Sequence, residues 1–240
     1  VTHVIRGLEY ISSIPRYLSL YEALELTVPV LACMPHIMAP DGKKKLGKRD
    51  GAKSVTDYKV DGILPEAMLN FLASMGWNDG TEQELFSREE LIDKFSLERV
   101  QRSGARFDEQ RLLWMNGQWI RRLSVDELYD RVENYWPLSA TSAEPAYKRQ
   151  VLTLVQDRLK LLSELSMMSK YFFEEPTPDH SLITDNKQLK KLSDNEITSL
   201  LAAATEQLST LEDWTPEAIQ ETLNQLLETT GQKPDRKSVV

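Results

Sequence analysis

The chain has 240 residues, 41% hydrophobic and 28% charged, which supplies a buried core and excludes gross disorder. Its formal charge of −8 excludes a generally adhesive nucleic-acid binder, because phosphate neutralisation drives such binding. Cys33 is the single cysteine, so an internal disulfide and a cysteine-based zinc site are both excluded, and a reducing, cytoplasmic setting fits.

Thr2 to Arg6 is β-rich and followed by Gly7, a strand running into a turn. Ser13-Ile14-Pro15 then opens a helix reaching about Leu24. Val28 to Met38 is apolar, punctuated by proline and strand-like; its apolar run ends at Pro35, well short of the ~18–20 residues of a membrane span. Strand, helix, strand is an α/β fragment too small to be a domain alone, so it is expected to be the end of a domain that begins upstream of Val1. His3, His36 and His180 lie far apart and offer no metal spacing, so no metal site is expected.

Beyond about residue 55 the pattern is almost wholly helical. Ser87 with Glu90, Ser124 with Glu127 and Ser193 with Glu196 have capping-box spacing, which predicts helices starting near 88, 125 and 194. Thr215-Pro216 predicts another start and Gly231 its stop. Ile197, Leu200, Leu201, Ala204 and Leu208 form one apolar stripe, and Ile219, Leu223, Leu226 and Leu227 form another; both read as core faces. The aromatics Trp114, Trp119, Tyr129, Trp136, Tyr171, Phe172, Phe173 and Trp214 read as core packing too, and none is assigned an RNA contact. Breaks are expected at 39–53, 121–124 and 174–186.

The first of these breaks carries the chemistry. Lys43, Lys44, Lys45, Lys48, Arg49 and Lys53 put six positive charges into eleven residues, among Gly42, Gly47 and Gly51, with Asp50 opposing them. An acidic protein with one local basic spot suits one phosphate-rich ligand. Glycines let the backbone bend closely around it. When a carboxylate attacks the α-phosphorus of ATP, negative charge grows on the departing pyrophosphate, and a lysine on a mobile loop can stabilise that state. Composition alone favours the plainer reading, a solvated, cation-rich turn, because lysine-rich turns are common; the wider context reverses it.

Lys45-Leu46-Gly47-Lys48-Arg49 resembles the KMSKS signature of class I aminoacyl-tRNA synthetases, in the form carried by bacterial-type glutamyl-tRNA synthetases. The surroundings are similar in order and spacing. Thr2-His3-Val4-Ile5-Arg6-Gly7 with Ser12-Ser13-Ile14-Pro15 resembles the segment before that loop. Asp61-Gly62-Ile63-Leu64-Pro65-Glu66-Ala67-Met68-Leu69-Asn70-Phe71-Leu72 resembles the start of the stem-contact module. Leu97-Glu98-Arg99-Val100 and Leu113-Trp114-Met115-Asn116-Gly117 continue it.

The resemblance implies a mainly α fold, divided into a remnant of a Rossmann catalytic domain (1–40), the KMSKS-like loop with the stem-contact domain (41–122), a helical anticodon-binding domain (123–175) and a second, truncated helical subdomain (176–240). It implies ATP-dependent activation of L-glutamate and transfer to tRNA(Glu), with Mg2+ accompanying ATP. Lys45 and Lys48 match the catalytic lysines, and Lys45, Leu46, Gly47, Lys48 and Arg49 the ATP loop. Arg6 matches an arginine near the glutamate substrate, and Arg158 falls near a position that reads the third anticodon base. The HIGH-type motif of the family is absent, so the chain is expected to be inactive alone; a monomer without membrane association is expected. Gly47 stands where serine is usual, Asp50 where histidine is common, and Leu8-Glu9-Tyr10 replaces an acidic-acidic-histidine or acidic-acidic-tryptophan run. Two rivals remain open: a glutaminyl-specific class I synthetase, and a helical RNA-binding or scaffold protein lacking the catalytic half.

Overall fold

The computed structural model describes residues 1–47, 53–177, 181, 185–186 and 189–231. It divides into two compact units, Val1–Glu175 and Pro176–Val240. The boundary falls in the Pro-rich stretch at 174–186.

The first unit begins with two parallel strands, β1 (His3–Gly7) and β2 (Val30–Met34), in register from His3 opposite Val30 to Gly7 opposite Met34. Parallel strands require a crossover. Here it is a 3₁₀ turn (Leu8–Ser13) followed by α1 (Ile14–Ala23), with Pro15 in the first turn, where a missing N–H costs nothing. Pro29 and Pro35 bracket β2 and end its pairing, because proline brings no N–H to the ladder. That is why the strand is shorter than the apolar run around it. No residue from 1 to 38 is buried; Ala39 is the first. A two-stranded sheet of this size has no core of its own.

The core of the unit lies in the helices that follow: α2 (Val55–Asp61), α3 (Pro65–Ser74), α4 (Arg88–Lys94), α5 (Glu109–Arg122), α6 (Val125–Arg131), α7 (Pro145–Val155) and α8 (Leu165–Ser169). Capping boxes start α4 at Ser87 and α6 at Ser124, as predicted, and a third starts α2 at Ser54 with Asp57. One apolar cluster joins Leu64, Ala67 and Phe71 of the α2–α3 region to Leu112, Met115 and Ile120 of α5. It continues through Leu128 to Leu152, Leu159 and Leu165 without a gap at residue 122. Burying a side chain of this kind contributes about 1.5–3 kcal/mol. Trp77, Phe86 and Leu91 form a smaller cluster between α3 and α4.

Two buried carboxamides fix how these helices meet. Asn116 Oδ1 accepts from Leu64 N–H (2.8 Å), while its Nδ2 donates to the carbonyls of Gly62 (3.1 Å) and Lys160 (2.7 Å). Asn70 donates to Glu84 C=O (3.0 Å) and accepts from Phe86 N–H (3.1 Å) and Trp119 Nε1–H (3.2 Å).

The second unit holds α9 (Asp194–Ser209), begun by a capping box at Ser193, and α10 (Pro216–Thr230), capped by Thr215 and ended by Gly231 at φ +66°. Ile197, Leu200, Ala204 and Leu208 are half-buried, but Leu201 is 57% exposed, contrary to its predicted place on a core face. A two-helix seam covers only a narrow stripe, and Leu201 lies on its flank. The aromatics divide likewise. Trp119, Tyr129, Trp136, Phe172 and Phe173 are half-buried, whereas Trp114, Tyr171 and Trp214 are exposed, the last at 65%. Core packing therefore does not describe those three.

Candidate functional site

The lysine-rich segment leaves the α/β element as a tight hairpin. Ala39 N–H donates to Lys44 C=O and Leu46 N–H to Ile37 C=O, both at 2.8 Å, and Met38 pairs with Lys45. The turn closes through Gly42 N–H to Ala39 C=O (2.7 Å), with Gly42 at φ +69°, a conformation that penalises any side chain. Asp41 Oδ1 accepts from Lys43 N–H (3.0 Å). The described part of the loop is thus ordered by its own backbone, more than a flexible strip would be.

Met38 also ties the hairpin to the helical module. Its N–H donates to Ala105 C=O (2.8 Å), and its C=O accepts from Phe107 N–H (3.0 Å). Gly104 permits this approach, since a Cβ there would stand 2.6 Å from His36 C=O. The Arg106 guanidinium lies against Gly42, where a Cβ would meet its Nε at 2.5 Å. Arg106, which sequence reasoning did not single out, therefore packs on the turn of the lysine hairpin.

Of the expected loop residues, Lys45 is exposed, and Leu46 and Gly47 are half-buried at the end of the hairpin. Lys48, Arg49 and Asp50 lie outside the described residues. On the far side, Lys53 Nζ is 2.7 Å from Asp61 Oδ2 and 4.0 Å from Glu109 Oε1, and the hydrogen bond to Asp61 raises its pKa above the ordinary lysine value.

Lys45 Nζ lies 3.2 Å from Glu9 Oε1, and His36 Nδ1 lies 3.4 Å from Glu9 Oε2. The Glu9 backbone N–H and Lys45 hold this carboxyl below the usual carboxylate range. The Glu9 carboxylate folds into the open side of Gly7, where a side chain would displace it. Arg6 stands on the other side of Gly7, at the end of β1. Its guanidinium stacks over Tyr10 at 3.9 Å from the ring centre and has no carboxylate partner among the described residues. It lines a cleft of about 230 Å³ with Tyr10, Tyr17, Tyr21 and Cys33. A surface ion pair, the ordinary role for such an arginine, is thus not what the described residues give it.

The structure brings Arg6, Gly7, Glu9 and Lys45 to one corner of the molecule. Glu9 had drawn notice only as a departure from the family pattern. Its place against Gly7 is visible only in the fold, where the carboxylate fills the open side of that glycine. Arg158 belongs to another face. It ends a 3₁₀ turn (Gln156–Arg158) after α7, exposed and without a partner among the described residues. Buried Gln156 anchors this turn by donating from Nε2 to Ile120 C=O (2.9 Å) and Leu123 C=O (2.8 Å).

Among the described residues, no three His, Cys, Asp or Glu side chains converge where a metal could sit. No described helix is long and apolar enough to cross a membrane.

Comparison with known proteins places this geometry in a family. The model for the catalytic domain of class I tRNA synthetases (E and Q) matches residues 1–114, and that for an anticodon-binding domain matches residues 127–236. A glutamate–tRNA ligase of Moorella thermoacetica is 34% identical over 238 residues, covering 96% of this chain and 47% of that protein. That of Pseudomonas syringae pv. syringae is 38% identical over 220 residues, covering 91% and 42%. The crystal structure of a glutamate tRNA ligase from Elizabethkingia meningosepticum, in complex with its amino acid, superposes with a TM-score of 0.75 at 28% identity, covering 97% of this chain and 49% of that one. The chain spans about half the length of the relatives it matches. With a catalytic-domain match running through β1, β2 and the lysine hairpin, and an anticodon-domain match over the helices that follow, the chain belongs to the glutamate and glutamine branch of the class I tRNA synthetases.

Proposed function

We propose that this chain supplies the ATP loop and the tRNA-binding part of a glutamate–tRNA ligase, which joins L-glutamate to tRNA(Glu) at the expense of ATP. The observation that carries this reading is the lysine hairpin, pinned through Met38 to the helical module and through Lys45 to the turn that presents Arg6.

In the reaction, a carboxylate oxygen of glutamate attacks the α-phosphorus of ATP, and pyrophosphate leaves. A hydroxyl at the tRNA end then attacks the activated carbonyl, and AMP leaves. Lys45 and Lys48 meet the negative charge that grows on pyrophosphate, and Leu46, Gly47 and Arg49 complete the loop around it. Compact ammonium groups suit this task because they hold phosphate as point charges from long stems. Arg6 binds a carboxylate of glutamate, for which its planar fork is matched. Tyr10 beneath the guanidinium limits its orientations, and that lowers the ordering cost of binding. Mg2+ would come with the ATP phosphates rather than on a site of its own.

The helical parts dock the RNA. Division into catalytic remnant (1–40), loop and stem-contact domain (41–122) and anticodon-binding helices (123–175 and 176–240) follows from this assignment. Arg158 is available to an anticodon base because it is exposed, on an anchored turn, and has no partner among the described residues. Cytoplasmic location and a monomeric state complete the reading, as does inactivity of this chain without the remaining catalytic half.

Aminoacylation by a full-length ligase carrying this chain, with labelled glutamate and glutamine offered separately, tests the assignment. Charging of glutamate is expected. Charging of glutamine alone would favour the other branch of the family, and charging of neither would favour an RNA-binding scaffold.

A further inference from the structure

The hairpin that carries the lysine loop is held at its base by one carboxylate. Glu9 Oε1 is 3.2 Å from Lys45 Nζ on the second arm, and Glu9 Oε2 is 3.4 Å from His36 Nδ1 at the start of the first arm. Gly7 leaves the space into which this carboxylate folds. Two other described loop cations behave differently. Lys53 is tied to Asp61, the last residue of α2 in the helical module, and Lys43 has no carboxylate partner among the described residues. Lys45, by contrast, is held by the turn beside Arg6. The pair is partly open to water, with side chains 57% and 47% exposed, so it exchanges readily. A polyphosphate offers the ammonium more charge and more acceptor oxygens than one carboxylate does.

We propose that Glu9 is a positioning residue for the lysine loop: it holds Lys45 beside the end of β1 until a polyphosphate takes the ammonium over. This rests on the reading of Lys45 as a lysine of the ATP loop. No bond is made or broken in the hand-over; an ion pair is exchanged for another. His36 steadies the carboxylate from its other oxygen, so that Glu9 meets the loop in one orientation. Removing the Glu9 charge frees Lys45 and removes a competitor of the phosphates.

The test is residue-resolved amine acylation of the whole chain, read by mass spectrometry, with inorganic pyrophosphate as the probe and Lys53 as internal reference. In Glu9→Gln, Lys45 should be acylated about two- to fivefold faster, as expected for loss of an exposed ion pair, with Lys53 unchanged. The pyrophosphate concentration that half-protects Lys45 should fall by a similar factor. His36→Gln should move both readings the same way and less far. An unchanged Lys45 rate in Glu9→Gln, with protection by pyrophosphate intact, overturns the role of Glu9 alone. Absence of protection in both proteins overturns the ATP-loop reading and the hand-over with it.

Discussion

Asn116 accepts a hydrogen bond from the main chain of Leu64 at 2.8 Å, across 52 residues of sequence, in the interior of the first unit. Its Nδ2 meanwhile donates to Gly62 and Lys160, so one side chain joins the entry to α3, helix α5 and the segment after Arg158. Replacing it strands buried backbone groups, each at a cost of about 1–3 kcal/mol. Asn116→Leu is therefore expected to destabilise the first unit by about 2–5 kcal/mol, visible as a lower urea midpoint with an unchanged slope. A loss below about 1 kcal/mol would mean that water replaces the amide.

Two glycines in the left-handed region separate local strain from close packing. Gly62, at φ +91°, faces the chain around Leu162, where a Cβ would stand 2.5 Å from the Leu162 nitrogen. Gly231, at φ +66°, has nothing within 4 Å. Gly231→Ala should cost about 1–2 kcal/mol, the conformational penalty alone. Gly62→Ala should cost clearly more, because backbone must move as well. Chemical denaturation of both variants, followed by probes in the unit concerned, measures the difference, and equal losses would contradict the contact at Leu162.

Much of this architecture was legible locally. The starts of α4, α6 and α9 follow from Ser-x-x-Glu, and α10 from Thr-Pro, because cap and helix lie within four residues of each other. The same box at Ser54 uses Asp57 in place of Glu and went unread. Leu201 and Trp214 were misplaced because periodicity states which residues share a face and not how wide a neighbour covers it. Non-local links were not legible. Glu9 and Lys45 are 36 residues apart, and Asn116 reaches Gly62 across 54, so only the fold makes them neighbours. Of the candidate site, the loop lysines and Arg6 were visible in the motif. Glu9, His36 and Arg106 were not, since a single acid, histidine or arginine carries no periodic signal.

Acid sensitivity is expected at Asp79. Its carboxylate accepts from Thr81 Oγ1 (2.6 Å) and N–H (3.0 Å) and pairs with Lys94 Nζ (2.9 Å); Thr81 first, and Lys94 next, lower its pKa to about 2. An unfolded aspartate titrates near 3.9, so the folded state favours the ionised form. The resulting stabilisation is complete above the unfolded value and is lost as pH falls towards about 2. The melting-temperature gap between the wild type and Asp79→Asn should thus be constant above about pH 5 and close between about pH 4 and 2. A gap independent of pH across that range would mean that the charge of Asp79 contributes nothing.

The role proposed for the lysine loop is to act on the phosphates of ATP. Its most direct test is Lys48→Ala in a full-length ligase carrying this chain, with glutamyl-adenylate formation, tRNA present, and tRNA dissociation constant measured on the same preparation. Loss of one preorganised cation at the site of developing charge should lower adenylate formation by about 10²–10³-fold while tRNA affinity stays within about twofold. Equal losses in both measurements would contradict the account and make the loop an RNA contact.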